Sequence, residues 1–161
     1  MDKATLLKSA IRGEVDGYTF YNHLAEKSSN EDAKRRLINL RDDERRHGAI
    51  LTELYEKYVG GEIGKLPEKG VGPLAEIFDT GKISELKTEM EFINLAIEAE
   101  LATTKFYKES AEAVEEEDIK EVMLKLSDEE NGHYEILMAE KEALAGNYFW
   151  FSAGDTAPME D

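Results

Sequence analysis

A chain of 161 residues, 35% charged and 41% apolar with only 3 prolines, suits one helical domain with a continuous core. Cysteine is absent. That excludes disulfides, zinc–thiolate sites, iron–sulfur clusters and thiol nucleophiles, and leaves glutamate and histidine as the strong metal ligands. The net charge of −16 repels phosphate backbones, so no nucleic-acid partner is expected; the acidity serves solubility or a field that gathers ferrous ions.

Helical periodicity begins at once in Met1-Asp2-Lys3-Ala4-Thr5-Leu6-Leu7, and a first helix is expected over about residues 3–27. With no signal peptide and no apolar run near the ~20 residues of a membrane span, a cytoplasmic protein without a membrane partner is expected. Ser28-Ser29-Asn30 supplies caps for a second helix over about residues 31–58, which Gly60-Gly61 stops. A glycine-rich stretch with Pro67 and Pro73 then occupies about residues 60–83. A four-helix bundle whose two helical hairpins are joined by one long crossover accounts for it, since twenty-odd residues at ~3.3 Å each cover a ~40 Å helix. Within it, Leu74-Ala75-Glu76-Ile77-Phe78 reads as a short helix lying on the bundle.

The third helix is expected over about residues 85–113 and the fourth over about 118–145, closed by Gly146. The negative charge of Glu115-Glu116-Glu117-Asp118 suits the start of the fourth. The fold class is therefore all-α: a bundle over residues 1–146 and a tail over 147–161. The tail's Tyr148-Phe149-Trp150-Phe151 covers either the bundle end or the partner in a homodimer.

An internal repeat with an offset of 86 residues organises the chain. It carries Glu44-Arg45-Arg46-His47 onto Glu130-Asn131-Gly132-His133 and Glu14 onto Glu100. It also relates Ala10-Ile11 to Ala96-Ile97, Phe20-Tyr21 to Phe106-Tyr107, Leu40 to Leu126 and Ile50-Leu51 to Ile136-Leu137. The two hairpins are thus copies, and a pseudo-two-fold relation between them is expected.

Glutamate and histidine three apart share one helix face, so each Glu-x-x-His word can offer both ligands to one point. Glu14, Glu44, His47, Glu100, Glu130 and His133 all fall on apolar stripes that must face the core. Four buried glutamates are tolerable only when protonated or bound to cations, and two divalent ions would balance them. Glu44 and Glu130 would bridge the ions, with Glu14 and His47 completing one and Glu100 and His133 the other. Oxygen and imidazole donors in this ratio suit two iron ions, with manganese or zinc as alternatives.

Tyr21 and Tyr107 lie on the same faces as Glu14 and Glu100. They bond a ligand carboxylate, relay an electron, or fill the core. Asp43 and Glu129, each just before a bridging glutamate, either orient a histidine of the facing hairpin or sit exposed. Gly13 and Gly17 flank Glu14, opening a channel for a small oxidant or allowing close helix packing. His23, whose repeat counterpart is Glu109, reads as a surface residue.

The order Glu14, Glu44-x-x-His47, crossover, Glu100, Glu130-x-x-His133 resembles the ferritin-like superfamily, and within it the rubrerythrin-type domain. Two features depart from the family pattern. No rubredoxin-type cysteines are present, and Thr103 stands where rubrerythrins carry an extra glutamate one turn after the third-helix ligand. The resemblance implies a non-haem di-iron centre that reduces hydrogen peroxide or dioxygen. Its electrons would come from an external donor, a separate protein or small molecule, because the chain has no second cofactor motif. Ferroxidase-type iron handling, oxygenation of an organic substrate, and a structural metal-binding bundle without turnover are the alternatives.

Overall fold

The computed structural model describes residues 2–68, 70, 73–78, 83–146, 150 and 151. Helices α1 (Lys3–Lys27) and α2 (Glu31–Tyr58) form the first hairpin. Helices α4 (Glu89–Ala113) and α5 (Glu117–Leu144) form the second, and α3 (Pro73–Ile77) lies in the crossover between them. No strand occurs among the described residues. Packing is closest within each hairpin, and the hairpins meet through α1 against α4 and α2 against α5.

Local chemistry sets the helix ends. The Asp2 carboxylate accepts from the Thr5 amide at 2.8 Å, and the Asn30 side chain accepts from Asp32 and Ala33 at 3.0 Å, so both helices of the first hairpin start capped. After α2, Gly60 and Gly61 take φ of +87° and +69°, the left-handed region that stops a helix without a Cβ penalty. Helix α4 begins at Glu89, later than the expected residue 85, because the Thr88 hydroxyl accepts from the Glu91 amide at 3.1 Å and fixes the start there. The last helix starts at Glu117, where Glu116 is tied to Lys3 at 2.8 Å.

Two apolar clusters fill the bundle, one on each side of a polar waist. One holds Phe20, Tyr21, Leu37, Leu40, Phe92, Ile93, Ala96 and Leu137. The other holds Leu6, Leu7, Ala10, Leu51, Tyr107, Met123 and Leu126. Moving along the chain by the repeat offset exchanges them: Leu6-Leu7 becomes Phe92-Ile93, Leu37 becomes Met123, and Leu51 becomes Leu137. The repeat therefore acts as a pseudo-two-fold axis through the waist, where all six candidate ligands lie.

Trp150 and Phe151 are buried at the end of the first cluster. The Trp150 carbonyl accepts from the Ser28 hydroxyl at 2.8 Å and from the amides of Ser29 and Asn30 at 2.8 and 3.2 Å. Its amide donates to the buried Glu89 carboxylate and its indole N–H donates to Glu140 at 3.1 Å. These two aromatics thus close the bundle end of their own chain; Tyr148 and Phe149 lie outside the described residues. The short crossover helix packs on α4 and buries Ile77.

Candidate metal centre

Each of the four long helices brings its ligand candidates to the waist from the middle of its length. Glu14, Glu44, His47, Glu100, Glu130 and His133 are all buried, between 0% and 4% exposed. Their donor atoms fall into two overlapping sets, each within 4.8 Å: Glu14, Glu44, His47 and Glu130 in one, Glu44, Glu100, Glu130 and His133 in the other. Glu44 and Glu130 belong to both. The histidine rings stack with centroids 6.0 Å apart and 16° between planes.

The surrounding groups obey the same symmetry. His47 Nε2 stands 2.9 Å from Glu129 Oε2, and His133 Nε2 stands 2.9 Å from Asp43 Oδ2. The Nε2 atoms therefore carry the protons and donate outward, leaving Nδ1 of both rings directed at the glutamates. Tyr21 Oη donates to Glu100 Oε1 at 2.5 Å, and Tyr107 Oη donates to Glu14 Oε1. Each tyrosine thus holds the terminal carboxylate of the opposite hairpin. One group breaks the pattern. Arg46 pairs with Glu129 at 2.8 Å and with Asp43 at 3.6 Å, linking both histidine supports, whereas its repeat counterpart is Gly132.

Electrostatics show what the cluster lacks. Burial, then repulsion from Glu130 and Glu14, pushes the Glu44 carboxyl well above the usual range. Burial and Glu130 do the same to Glu100. Burial disfavours charge on His47, but Glu130 and Glu14 overcome it and push the ring up to about 10. His133 is raised likewise by Glu100, Glu130 and Glu44 against burial. Burial disfavours charge on Glu130, yet the closeness of Glu100 and of both histidine rings holds its carboxyl below the ordinary value. Tyr21 and Tyr107 are raised by burial first, then by Glu100 and Glu14 respectively. The raised histidines and glutamates show that the cluster favours added positive charge, here in the form of protons.

The fit to a metal rests on atoms without partners. Glu14 Oε2, Glu44 Oε1, His47 Nδ1, Glu100 Oε2, Glu130 Oε1 and His133 Nδ1 are buried and accept or donate no hydrogen bond. His47 Nδ1 lies 2.8 Å from Glu130 Oε1, but the pair is not aligned as a hydrogen bond. One orphan atom on each of six residues, all facing one point, is costly for a protein unless a cation accepts them. Carboxylate and imidazole donors fit iron.

Residues 5–141 match the model of the Rubrerythrin family. The chain belongs to the rubrerythrin family. Among solved structures, a hypothetical protein from Pyrococcus furiosus is 34% identical, covers 88% of this chain and 89% of its own, and superposes with a TM-score of 0.73. Ferritin-like diiron-carboxylate proteins from Bacillus anthracis str. Ames share the fold at 23% identity and TM-score 0.63, covering 88% of this chain and 99% of theirs. CopM in its Cu(II)-bound form shares it at 12% identity and TM-score 0.70, covering 85% and 93%. No protein of curated function matches.

Within this rubrerythrin-family chain Gly17 serves close packing of α2 on α1, the second of its two expected roles. A Cβ on Gly17 would stand 2.6 Å from Glu44 Oε2, so Gly17 makes room for that carboxylate rather than for a channel. A hollow of about 340 Å³ between α1 and α2 reaches the waist, lined by Glu14, Glu44, Tyr18, Arg45, Gly48 and Thr52, among others. A larger hollow of about 570 Å³, lined by Phe20, His23, Phe78 and Phe92 among others, touches none of the six ligand candidates. His23 is exposed, as expected. The role of Arg46 had no signal in the sequence except that it breaks the repeat.

Proposed function

We propose that the chain is a non-haem di-iron oxidoreductase that reduces hydrogen peroxide, with dioxygen as the slower oxidant. The observation that carries this reading is the pair of overlapping donor sets sharing Glu44 and Glu130, with a partnerless buried atom on every member. Bound there as a ferrous pair, two irons would supply the two electrons that, with two protons, turn one hydrogen peroxide into two waters, and an external donor would restore them.

The chain's own residues have defined parts in this. Glu44 and Glu130 would hold both ions, Glu14 and His47 one, and Glu100 and His133 the other. Glu129 and Asp43 fix the histidine tautomers through Nε2, which keeps Nδ1 free to bind. Tyr107 and Tyr21 keep their protons on Oη, because burial beside carboxylates raises them, and so they orient Glu14 and Glu100 as donors. The apolar clusters above and below exclude bulk water from the waist.

Stopped-flow absorbance on protein loaded anaerobically with two ferrous ions per chain tests the reading. Oxidation by peroxide should far outpace oxidation by air-saturated buffer and should be lost in Glu130→Ala. Faster oxidation by dioxygen would favour iron handling. No reaction with either would leave a structural metal site.

A further inference from the structure

The two hairpins are copies, yet the waist does not present the same surface on both. Between α1 and α2 the hollow of about 340 Å³ reaches inward to Glu14 and Glu44. Its inner wall passes Gly48, where the repeat places Tyr134 on the facing hairpin. Its sides include the apolar residues Ile11 and Val15. At its mouth, Arg45 donates to Tyr18 Oη at 2.7 Å and lies 5.0 Å from the centre of the Tyr18 ring. The counterparts of Tyr18 and Arg45 under the repeat are Thr104 and Asn131, so this charged, aromatic rim belongs to one face alone.

We infer that this hollow, held open by Gly48 and rimmed by Tyr18 and Arg45, is the route by which small neutral or anionic ligands reach the candidate metal centre. The inference rests on the di-iron reading above and adds a direction of approach and a class of ligand. A guanidinium at the rim disfavours cations locally, against the acidic surface of the whole, so the route suits peroxide or a small anion better than ferrous ion. Apolar clusters lie on either side of the waist along the bundle, and on the α2–α5 side the Arg46–Glu129–Asp43 ion pairs stand over the two histidines. A peroxide arriving here would meet Glu14 and Glu44, the side of the site that Glu14 and His47 would complete.

The position also tolerates change. A Cβ on Gly48 would meet only Glu14 Cβ, at 3.8 Å, an ordinary contact, so a side chain placed there grows into the hollow and not into the core. Gly48→Tyr therefore puts on this face the residue its twin already carries.

The test is azide uptake by the oxidised iron-loaded protein, followed by absorbance, with iron content measured on every variant. Gly48→Tyr should keep its iron and lose rapid azide uptake. As a second arm, Thr52→Cys introduces the sole thiol of a cysteine-free chain, and its modification by a methanethiosulfonate reagent should block azide until the adduct is reduced off. Azide uptake unchanged in both arms at full iron content overturns the inference, as does an iron-loaded parent protein that takes up no azide. Normal azide uptake by a protein that peroxide fails to oxidise would sustain this route and refute the peroxide reading instead.

Discussion

Replacing Gly17 by alanine separates what the fold needs from what the metal centre needs. The new Cβ would stand 2.6 Å from Glu44 Oε2, where ordinary contact begins at 3.4 Å, so the carboxylate must retreat by about 0.8 Å. Glu44 is a long side chain and can yield. The overpacking cost of ~1–3 kcal/mol is partly offset by the ~1 kcal/mol that alanine gains over glycine inside a helix. At ~2–4 °C per kcal/mol for a domain of this size, the melting temperature after chelation should move by only a few degrees. The metal is less forgiving, because Glu44 belongs to both donor sets. Loss of a group that merely orients a ligand costs ~10–100-fold in affinity, and displacing a shared ligand should cost at least as much. Anaerobic competition titration of ferrous ion against a chelator, paired with calorimetry of the chelated protein, measures both effects. An unchanged affinity would refute the reasoning, and so would a chelated variant destabilised by more than ~3 kcal/mol.

The pH dependence after chelation has a definite sign. His47 is raised to about 10 by Glu130 and Glu14 in spite of burial, so its contribution is complete below ~6.5 and lost as pH climbs to about 10. The raised Glu44 and Glu100 act in the same direction from their ordinary range upward, while the lowered Glu130 contributes above ~4.5 and is lost below it. The melting temperature should therefore fall on the alkaline side, and iron loading should release protons, visible by calorimetry in buffers of different ionisation heat; a flat profile from pH ~6.5 to ~10 contradicts this. Glu129→Gln should weaken iron binding by ~10–100-fold without unfolding the chain, because it removes the charged acceptor that orients His47. Equal affinity in the variant and the parent would assign Glu129 to the surface alone. Trp150→Ala should cost ~3–5 kcal/mol, read as a drop of roughly 6–20 °C in thermal melts, since the indole is fully buried and bonded to Glu140.

The repeat made most of this legible. An offset that carries Glu14, Glu44 and His47 onto Glu100, Glu130 and His133 is long-range information written locally, and it implied the symmetry of the waist before any helix was placed. Asp43 and Glu129 were legible as alternatives, because adjacency in sequence says nothing about which facing ring a carboxylate reaches across the bundle. Gly17 was legible only as alternatives for a related reason: a glycine beside a ligand signals that space is needed but not which atom takes it. The opening at Gly48 is a departure from the repeat, against Tyr134, and its meaning depends on the three-dimensional path between α1 and α2. Trp150 could be read as covering something, while its hold on the α1–α2 turn runs through backbone carbonyl and amide groups that composition does not encode.

The polar waist between two apolar clusters also inverts the usual pattern of local opening. Helices ordinarily fray from their ends inward, and amides near the middle exchange last. In this bundle the ends are capped and sealed, by Asn30 and Trp150 at one pole and by Ile119 and Val114 at the other, while the middle turns gather four carboxyl groups whose only close partners among the described residues are two tyrosines and two histidines. Stripped of cations, the molecule resembles two small hydrophobic drops joined at a strained neck. Amide protons around Glu14, Glu44, Glu100 and Glu130 would then exchange ahead of those nearer the helix ends, and filling the neck would fuse the two drops into one cooperative unit.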